Sequence, residues 1–457
     1  MHRLPMIFAA LPFALGILSQ RENVWIAAIF SLLVIVFRKH LKPPVTISFF
    51  VLGFAAGRVS QTSVDIPLDK KTQTIVRVTG MPQLAGKWLR SEARIISFKD
   101  STGEWREAHA KLLLNVDSAL GLQLGDTLMI EAKHYSVFDY YIIKGIVSRV
   151  YVNGYQRIGT DTALLERMIL LRGILSDKFD RIETTNENRA LMQALTLGDR
   201  SEINRDQRDS YSRAGAAHLL AVSGLHVGII FAVLSFLLGW LSLLRRGRYI
   251  CGVVVIVLMW VYAALTGFSP SVLRAVLMFS LYQLSLLVER DANQLNTLLG
   301  AAFVLLLINP NYILDIGFQL SFTAMLGIIL LYRPIFALWR SGIWRIAAVT
   351  LAAQIAVVPL SVYYFGTLPL VGLLVNLGLW LTVPSIMVLS LLYLVSGIGF
   401  VGTTAAWLCR LQNGFVSWCA SQRWIAITDI VMPLWMLAAI YGGLIIIIII
   451  LMRKNLL

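Results

Sequence analysis

Acidic residues are scarce in this chain: 25 Asp and Glu stand against 40 Lys and Arg in 457 residues, for a formal charge of +15. All charged residues together make up 14% of the sequence, while 57% is hydrophobic. So low a charge content excludes an ordinary soluble globule. Cysteine is nearly absent, and Cys251, Cys409 and Cys419 are too few and too scattered for a disulfide framework or a zinc site. No glycine-rich phosphate loop occurs, which excludes a nucleotide-driven motor within this chain. His2, His40, His109 and His134 stand alone, and without a clustered His/Asp motif metal-dependent hydrolysis is not expected. The sequence gives no reason to expect a cofactor.

What the chain has instead is long apolar runs, with a mean hydropathy of +0.73. About 20 apolar residues cross the hydrocarbon of a bilayer. Three such segments come first, at Leu4–Ser19, Val24–Phe37 and Val45–Ser60. The first lacks a small-x-small cleavage site, so it reads as a retained helix rather than a signal peptide. The basic connection Arg38–Pro44 is expected on the cytoplasmic side, because Lys and Arg collect there. Most of the net positive charge has that same topological reading.

Between Val64 and Gly159 the pattern changes to period-two alternation. It is clearest in TIVRV from Thr74, ARIISF from Ala93, KLLLNV from Lys111 and TLMIEAKHY from Thr127. Alternation rich in Val, Ile, Tyr and Phe predicts half-buried strands. About five strands in this length suit a small barrel of the OB type. Following an odd number of crossings, it is expected outside the cytoplasm. Lys70, Lys71, Arg77, Lys87, Arg90 and Arg94 cluster early in it, and Lys87, Arg90 and Arg94 are candidate nucleic-acid contacts. The expected division is 1–62 for N-terminal membrane helices, 64–159 for the β domain and 160–457 for a helical membrane domain. The expected fold class is therefore mainly α: a polytopic membrane protein with a small extracytoplasmic OB-like β-barrel.

An amphipathic stretch, Asp161–Ser212, leads to the main membrane region. Its candidate spans are His218–Leu241, Ile250–Leu265, Val272–Val288, Leu295–Ile308, Ile316–Leu331, Ile346–Val362, Leu368–Leu381, Val383–Phe400 and Leu434–Leu451. Pro384 separates two short pieces, which predicts broken or re-entrant helices. Thr403–Asp429, with Trp407, Trp418 and Trp424, reads as interfacial.

Several polar groups are not needed for spanning. AGAAHLLAVSGLHVG, from Ala214 to Gly228, carries His218, Ser223 and His226, with Asp199, Arg200 and Arg213 just ahead of it. On one continuous helix the two histidines would share a face, and Ser223 and His226 could touch. The open readings are a Ser–His nucleophile pair, a proton relay, the wall of a pore, or hydrogen bonds between close-packed helices. Arg274 stands inside an apolar run, where it needs a carboxylate, a carbonyl array or an anionic substrate. Asp315 is a plausible partner, with Gln319 nearby. Asn376, between Gly372 and Gly378, reads as a helix contact.

These blocks, in this order, resemble the ComEC proteins of bacterial natural competence. The resemblance is carried by ALTLGDRSEI from Ala194, AGAAHLLAVSGLHVG, GFSPSVLRAVLM from Gly267, LDIGFQLSFTAMLGI from Leu314, AAQIAVVPLSVYYFG from Ala352 and FDYYIIKGI from Phe138. It implies an inner-membrane channel that passes single-stranded DNA into the cytoplasm, with the OB-like domain outside. It also implies partners: a DNA receptor outside, a helicase inside and, since no metallo-β-lactamase-like domain follows the last helix, a separate nuclease. The chain itself is not expected to be an enzyme. Asp199, Arg200, Arg213, His218, Ser223, His226, Arg274, Asp315, Gln319 and Asn376 are the candidates for the DNA path. A transporter of a smaller anion and an intramembrane Ser/His hydrolase are the alternatives.

Overall fold

A computed structural model describes residues 7–22, 43–60, 70–100, 102–108, 110–137, 141, 145–220, 222–287, 293–339, 341–370, 372–422 and 426–453. The predicted second apolar segment, most of the basic connection after it and most of FDYYIIKGI lie outside the described residues. Helices α1 (Ile7–Glu22) and α2 (Pro43–Ser60) precede the β domain. Phe13 and Ile17 of α1 pack on Leu305 and Leu306, which lie well beyond the β domain in sequence, so the N-terminal helices belong to the membrane bundle.

The alternating segments form β1 (Lys71–Val78), β3 (Trp88–Lys99), β5 (Lys111–Asp117), β6 (Asp126–Tyr135), β7 (Ile146–Val152) and β8 (Tyr155–Thr160). Two short strands, β2 (Gln83–Ala85) and β4 (Trp105–Glu107), pair onto β3. Alternation sends Val76, Val78, Ile95, Leu112, Leu114, Leu128, Ile130, Val150 and Val152 into one core. Each fully buried side chain of this kind stabilises by roughly 1.5–3 kcal/mol. β1 pairs antiparallel with β3 and β6, β3 with β5, and β5 runs parallel to β7. β6 meets β7 in only two register pairs, His134↔Val150 and Tyr135↔Arg149. The barrel expectation is therefore met only in part: the sheet curls back on itself but does not seal into a closed barrel. Inside it, His134 bonds Thr74 Oγ1 at 3.0 Å and Ser148 Oγ at 2.9 Å. Burial without a counter-charge drops this imidazole to about pKa 4.

Helix α3 (Leu164–Asp177) joins the sheet to the bundle. Glu166 accepts from Arg77 of β1 at 2.8 Å and from its own N-cap amide, Ala163 N, at 2.6 Å. Then follow α4 (Asn186–Leu197), α5 (Arg205–Arg213), α6 (Gly224–Leu238), α7 (Gly247–Leu265), α8 (Pro270–Leu287), α9 (Gln294–Ile308), α10 (Ile316–Phe336) and α11 (Gly342–Phe365). The chain closes with α12 (Gly372–Ser396), α13 (Gly399–Ser421) and α14 (Leu434–Arg453). Seven helical segments among the described residues are long and apolar enough to cross a membrane, so this is a polytopic membrane protein. Their exposed Leu, Ile, Val and Trp side chains need lipid for company.

Two expectations are corrected here. Pro384 does not divide its region into two pieces, because α12 runs unbroken through it. The hydroxyls of Thr382 and Ser385 donate to the carbonyls of Leu379 and Leu381, at 3.2 and 2.8 Å, on either side of Trp380, the residue whose carbonyl Pro384 cannot serve. The two residues Leu368–Pro369 (β9) instead pair with Ala426–Ile427 (β10). The predicted span from His218 begins only at Gly224, because a 3₁₀ turn at Ala217–Leu220 and an extended Ser223 precede the helix.

Candidate functional site

The site is built around the first turn of α6. Helix α4 leads to it, with Thr185 as its N-cap and nearly every residue from Asn188 to Leu197 buried. It ends at Gly198 in the left-handed region, φ 72°, where L side chains are strained. A Cβ on Gly198 would stand 3.0 Å from Val222 and 3.4 Å from Thr266. The LGDR turn, the AVSG stretch and the TGFSP turn therefore meet at one point. Tyr262 of α7 ties this corner by donating to the Thr196 carbonyl at 3.2 Å.

After LGDR the polar residues serve the local fold. Asp199 Oδ1 accepts from the amide and hydroxyl of Ser201, at 3.0 and 2.7 Å, and shapes the turn. Asn204 caps α5 by accepting from Gln207 N at 2.7 Å. Arg200, Arg213 and His218 are exposed. Because His218 sits on the 3₁₀ turn, it shares no helix with His226, contrary to the one-face expectation.

At the start of α6, Ser223 N–H donates to His226 Nδ1 at 2.9 Å. In the neutral ring this assigns the proton to Nε2. The bond fixes the imidazole with a backbone amide rather than with the serine hydroxyl, so the Ser–His contact predicted from spacing is not a nucleophile–base pair. His226 is fully buried.

Arg274 comes from α8 and lies across this turn. Pro270 opens α8, and Arg274 follows one turn later with only 5% of its surface exposed. Its Nη2 is 2.8 Å from where a Cβ on Gly224 would be. Only glycine lets the guanidinium lie against the first residue of α6. One face of the group rests over the Phe322 ring, 5.8 Å from the centroid. Its Nε and Nη1 are buried without a hydrogen-bond partner.

The expected Arg274–Asp315 tie is not formed. Asp315 turns back to cap α10, accepting from Phe318 N at 2.8 Å, because a helix start in an apolar setting needs its free N–H groups satisfied. Gln319 is also committed, donating to Ile313 O at 2.8 Å and accepting from Tyr364 at 2.7 Å. Asn376 is half-buried on α12, and its Oδ1 is buried without a partner. Thus Ser223, His226 and Arg274 come together, whereas the other candidates are dispersed. In the β domain, Lys87 lies over Trp88, Arg90 bonds Asn115 Oδ1 at 3.0 Å, and Arg94 is exposed on β3. No group of side chains suited to holding a metal occurs among the described residues.

One polar cluster escaped the sequence reading. Asn413 of α13 accepts from Tyr211 at 2.9 Å and Gln207 at 3.3 Å, and donates to Asn188 at 2.8 Å. Gln412 donates to the Tyr211 hydroxyl at 3.3 Å and accepts from Thr382 at 2.8 Å. This uncharged lattice joins α4, α5, α12 and α13. Its signal in the sequence was the Gln412-Asn413 pair on the small-residue face Gly402–Ala405–Ala406–Cys409.

A family model described as "Competence protein" matches residues 195–454. The chain is 33% identical over 191 residues to ComE operon protein 3 of Bacillus subtilis (strain 168), covering 42% of this chain and 24% of that protein. It is 24% identical over 250 residues to Recombination protein 2 of Haemophilus influenzae, covering 51% and 31%. It is 25% identical over 369 residues to Competence protein ComA of Neisseria gonorrhoeae, covering 71% and 49%. The matches thus span half or less of the length of these relatives. No solved structure matches the chain.

Proposed function

The chain belongs to the Competence protein family, and from that premise we propose that it is an inner-membrane channel passing single-stranded DNA into the cytoplasm during natural transformation. The names of its relatives, competence and recombination proteins, support DNA as the cargo. The observation that carries the reading is Arg274. A guanidinium buried at a helix N-terminus lies beside the positive end of the helix dipole, which repels it. It also loses hydration, and two of its nitrogens gain nothing in return. An anion at this point relieves both costs. A phosphodiester has the right form, since its oxygens accept from the guanidinium fork and from free helix amides alike. One such cation holds each phosphate in turn without trapping the strand, because conduction needs binding weak enough to leave.

In this reading His226, oriented by the Ser223 amide, is a fixed polar wall, and His218, Arg200 and Arg213 line the approach. The curled sheet is a partly open OB-type domain on the outer side, consistent with its β1-β3-β5-β7-β6 pairing order. A receptor outside delivers the DNA, a helicase inside draws the strand, and a nuclease removes its complement.

The test uses cells lacking this gene, complemented with wild-type or Arg274→Gln protein and given labelled duplex DNA. Arg274→Gln is expected to leave surface binding intact and to cut nuclease-resistant, internalised label about tenfold or more, as loss of a charge-assisted contact implies. Wild-type internalisation by a properly inserted Arg274→Gln protein rejects the reading.

A further inference from the structure

We infer that the outer face of β3, β6 and β7 is a stacking platform for the bases of single-stranded DNA, with Trp88, Tyr151 and Tyr135 as its steps. The inference rests on the reading that single-stranded DNA is the cargo.

The platform follows from strand alternation. Ser148, Val150 and Val152 of β7 point into the core, which turns Arg149 and Tyr151 outward. Ala132 and His134 of β6 point inward, which turns Lys133 and Tyr135 outward. Tyr135 faces Arg149 in register, and Trp88 lies at the start of β3 beyond them. The rings form an edge-to-face row: Trp88 to Tyr151 is 5.2 Å between centroids with the planes at 63°, and Tyr151 to Tyr135 is 6.1 Å at 72°. Tyr135 keeps 37% of its surface exposed.

Each ring also carries a cation. Lys87 Nζ stands 5.1 Å from the Trp88 centroid, Arg149 5.4 Å from that of Tyr151, and Lys133 Nζ 5.3 Å from that of Tyr135. A cluster that served only to pack the sheet would need no cation per ring. Aromatic faces interleaved with flexible cations are what single strands require: bases stack on the rings while the cations move to phosphates. Nearby carboxylates are largely occupied. Glu92 is paired with Lys111 at 3.3 Å, and Asp117 caps Ala119 N at 3.0 Å. Among the described residues of β6, Glu131, two residues before Lys133, also faces outward.

The ring orientation selects the form of the nucleic acid. Neighbouring rings inclined at 63° and 72° do not match the parallel base stack, ~3.4 Å per nucleotide, of a B-form strand. Bases bound here are separated from one another, each taken up by one ring. A duplex keeps its base faces hidden and would find only the cations.

The experiment measures binding of fluorescein-labelled oligothymidylate, and of the same length of duplex, to the full chain in lipid nanodiscs by anisotropy. Single strand should bind more tightly than duplex. Trp88→Leu and Tyr151→Leu should each weaken single-strand binding about tenfold with little effect on duplex. Lys87→Ser combined with Lys133→Ser keeps all three rings, and should flatten the salt dependence of single-strand binding. The inference is overturned if either leucine variant, with an unaltered thermal unfolding midpoint, binds oligothymidylate as tightly as wild type. It is equally overturned if duplex and single strand bind alike in wild type, which means a merely cationic surface. The leucine variants separate the two readings when repeated in an Arg274→Gln background, where they should still weaken single-strand binding by the same factor. Loss of internalisation in Arg274→Gln with no platform effect in the leucine variants keeps the channel and discards the platform.

Discussion

Replacing Arg274 with methionine should stabilise the resting protein and disable it together. Two guanidinium nitrogens, Nε and Nη1, are buried with no acceptor. An unpaired buried donor costs about 1–3 kcal/mol, and more when charged. Methionine removes both donors and the charge while keeping a flexible apolar stem against Phe322. Even after a small packing loss, a net gain of about 2 kcal/mol is expected. In a chain of this size that raises the unfolding midpoint by at least about 2 °C. The assay is thermal unfolding of purified protein in detergent, followed by tryptophan fluorescence and run beside transformation frequency. Uptake should fall about tenfold or more while the midpoint rises. Gly224→Ala is the companion: its Cβ would stand 2.8 Å from Nη2, so the guanidinium must shift. It should lower uptake with little change in the midpoint, since alanine is also the better helix former. The reasoning fails if Arg274→Met unfolds at a clearly lower temperature. Breaking a satisfied buried pair costs about 3–5 kcal/mol, so such a drop means the charge was already matched in the resting protein.

Three further outcomes are expected. Ser223→Ala should retain wild-type DNA uptake, because His226 bonds the residue 223 amide and not its hydroxyl; abolished uptake would revive the nucleophile reading. His134 titrates near 4 when folded, below its ordinary value of 6.5, so the folded state holds fewer protons than the unfolded one. Its stabilisation is complete above about pH 6.5 and should fall by about 1.4 kcal/mol per unit between there and about pH 4. Unfolding midpoints against pH, with His134→Gln as the flattened control, check the sign. Asn413→Leu should destabilise the chain by about 2 kcal/mol or more, since it strands the Tyr211, Gln207 and Asn188 groups it bonds; an unchanged midpoint would show that water replaces it.

The strands were legible because alternation is a local property: TIVRV, ARIISF, KLLLNV and TLMIEAKHY all lie within β1, β3, β5 and β6. The long apolar helices were legible for the same reason. What was not legible depended on how backbone groups are satisfied. Hydropathy ran on from Leu219, but the chain is 3₁₀ over Ala217–Leu220 and extended at Ser223, because a helix start has to be capped. Pro384 looked like a break, but the helix runs through it unbroken. Charge matching suggested Arg274 with Asp315, but a free helix start claimed the carboxylate first. The amide lattice around Asn413 joins residues more than 200 positions apart in sequence, beyond the reach of any local pattern.

Helix α3 is tied to the sheet at its first turn and passes close to the α7–α8 turn at its middle. Glu166 holds Arg77 of the sheet, and the Arg172 guanidinium reaches to 3.7 Å of the Gly267 Cβ position at the turn between α7 and α8. The β domain is consequently fixed to the helix that follows it, not swung on a tether. On the proposed channel reading, a strand leaving this surface starts from a defined heading and needs no search to find the entrance. Lengthening the joint at Asp161–Ala163 would turn that aimed hand-over into a diffusive one, slowing entry without touching a single residue along the passage.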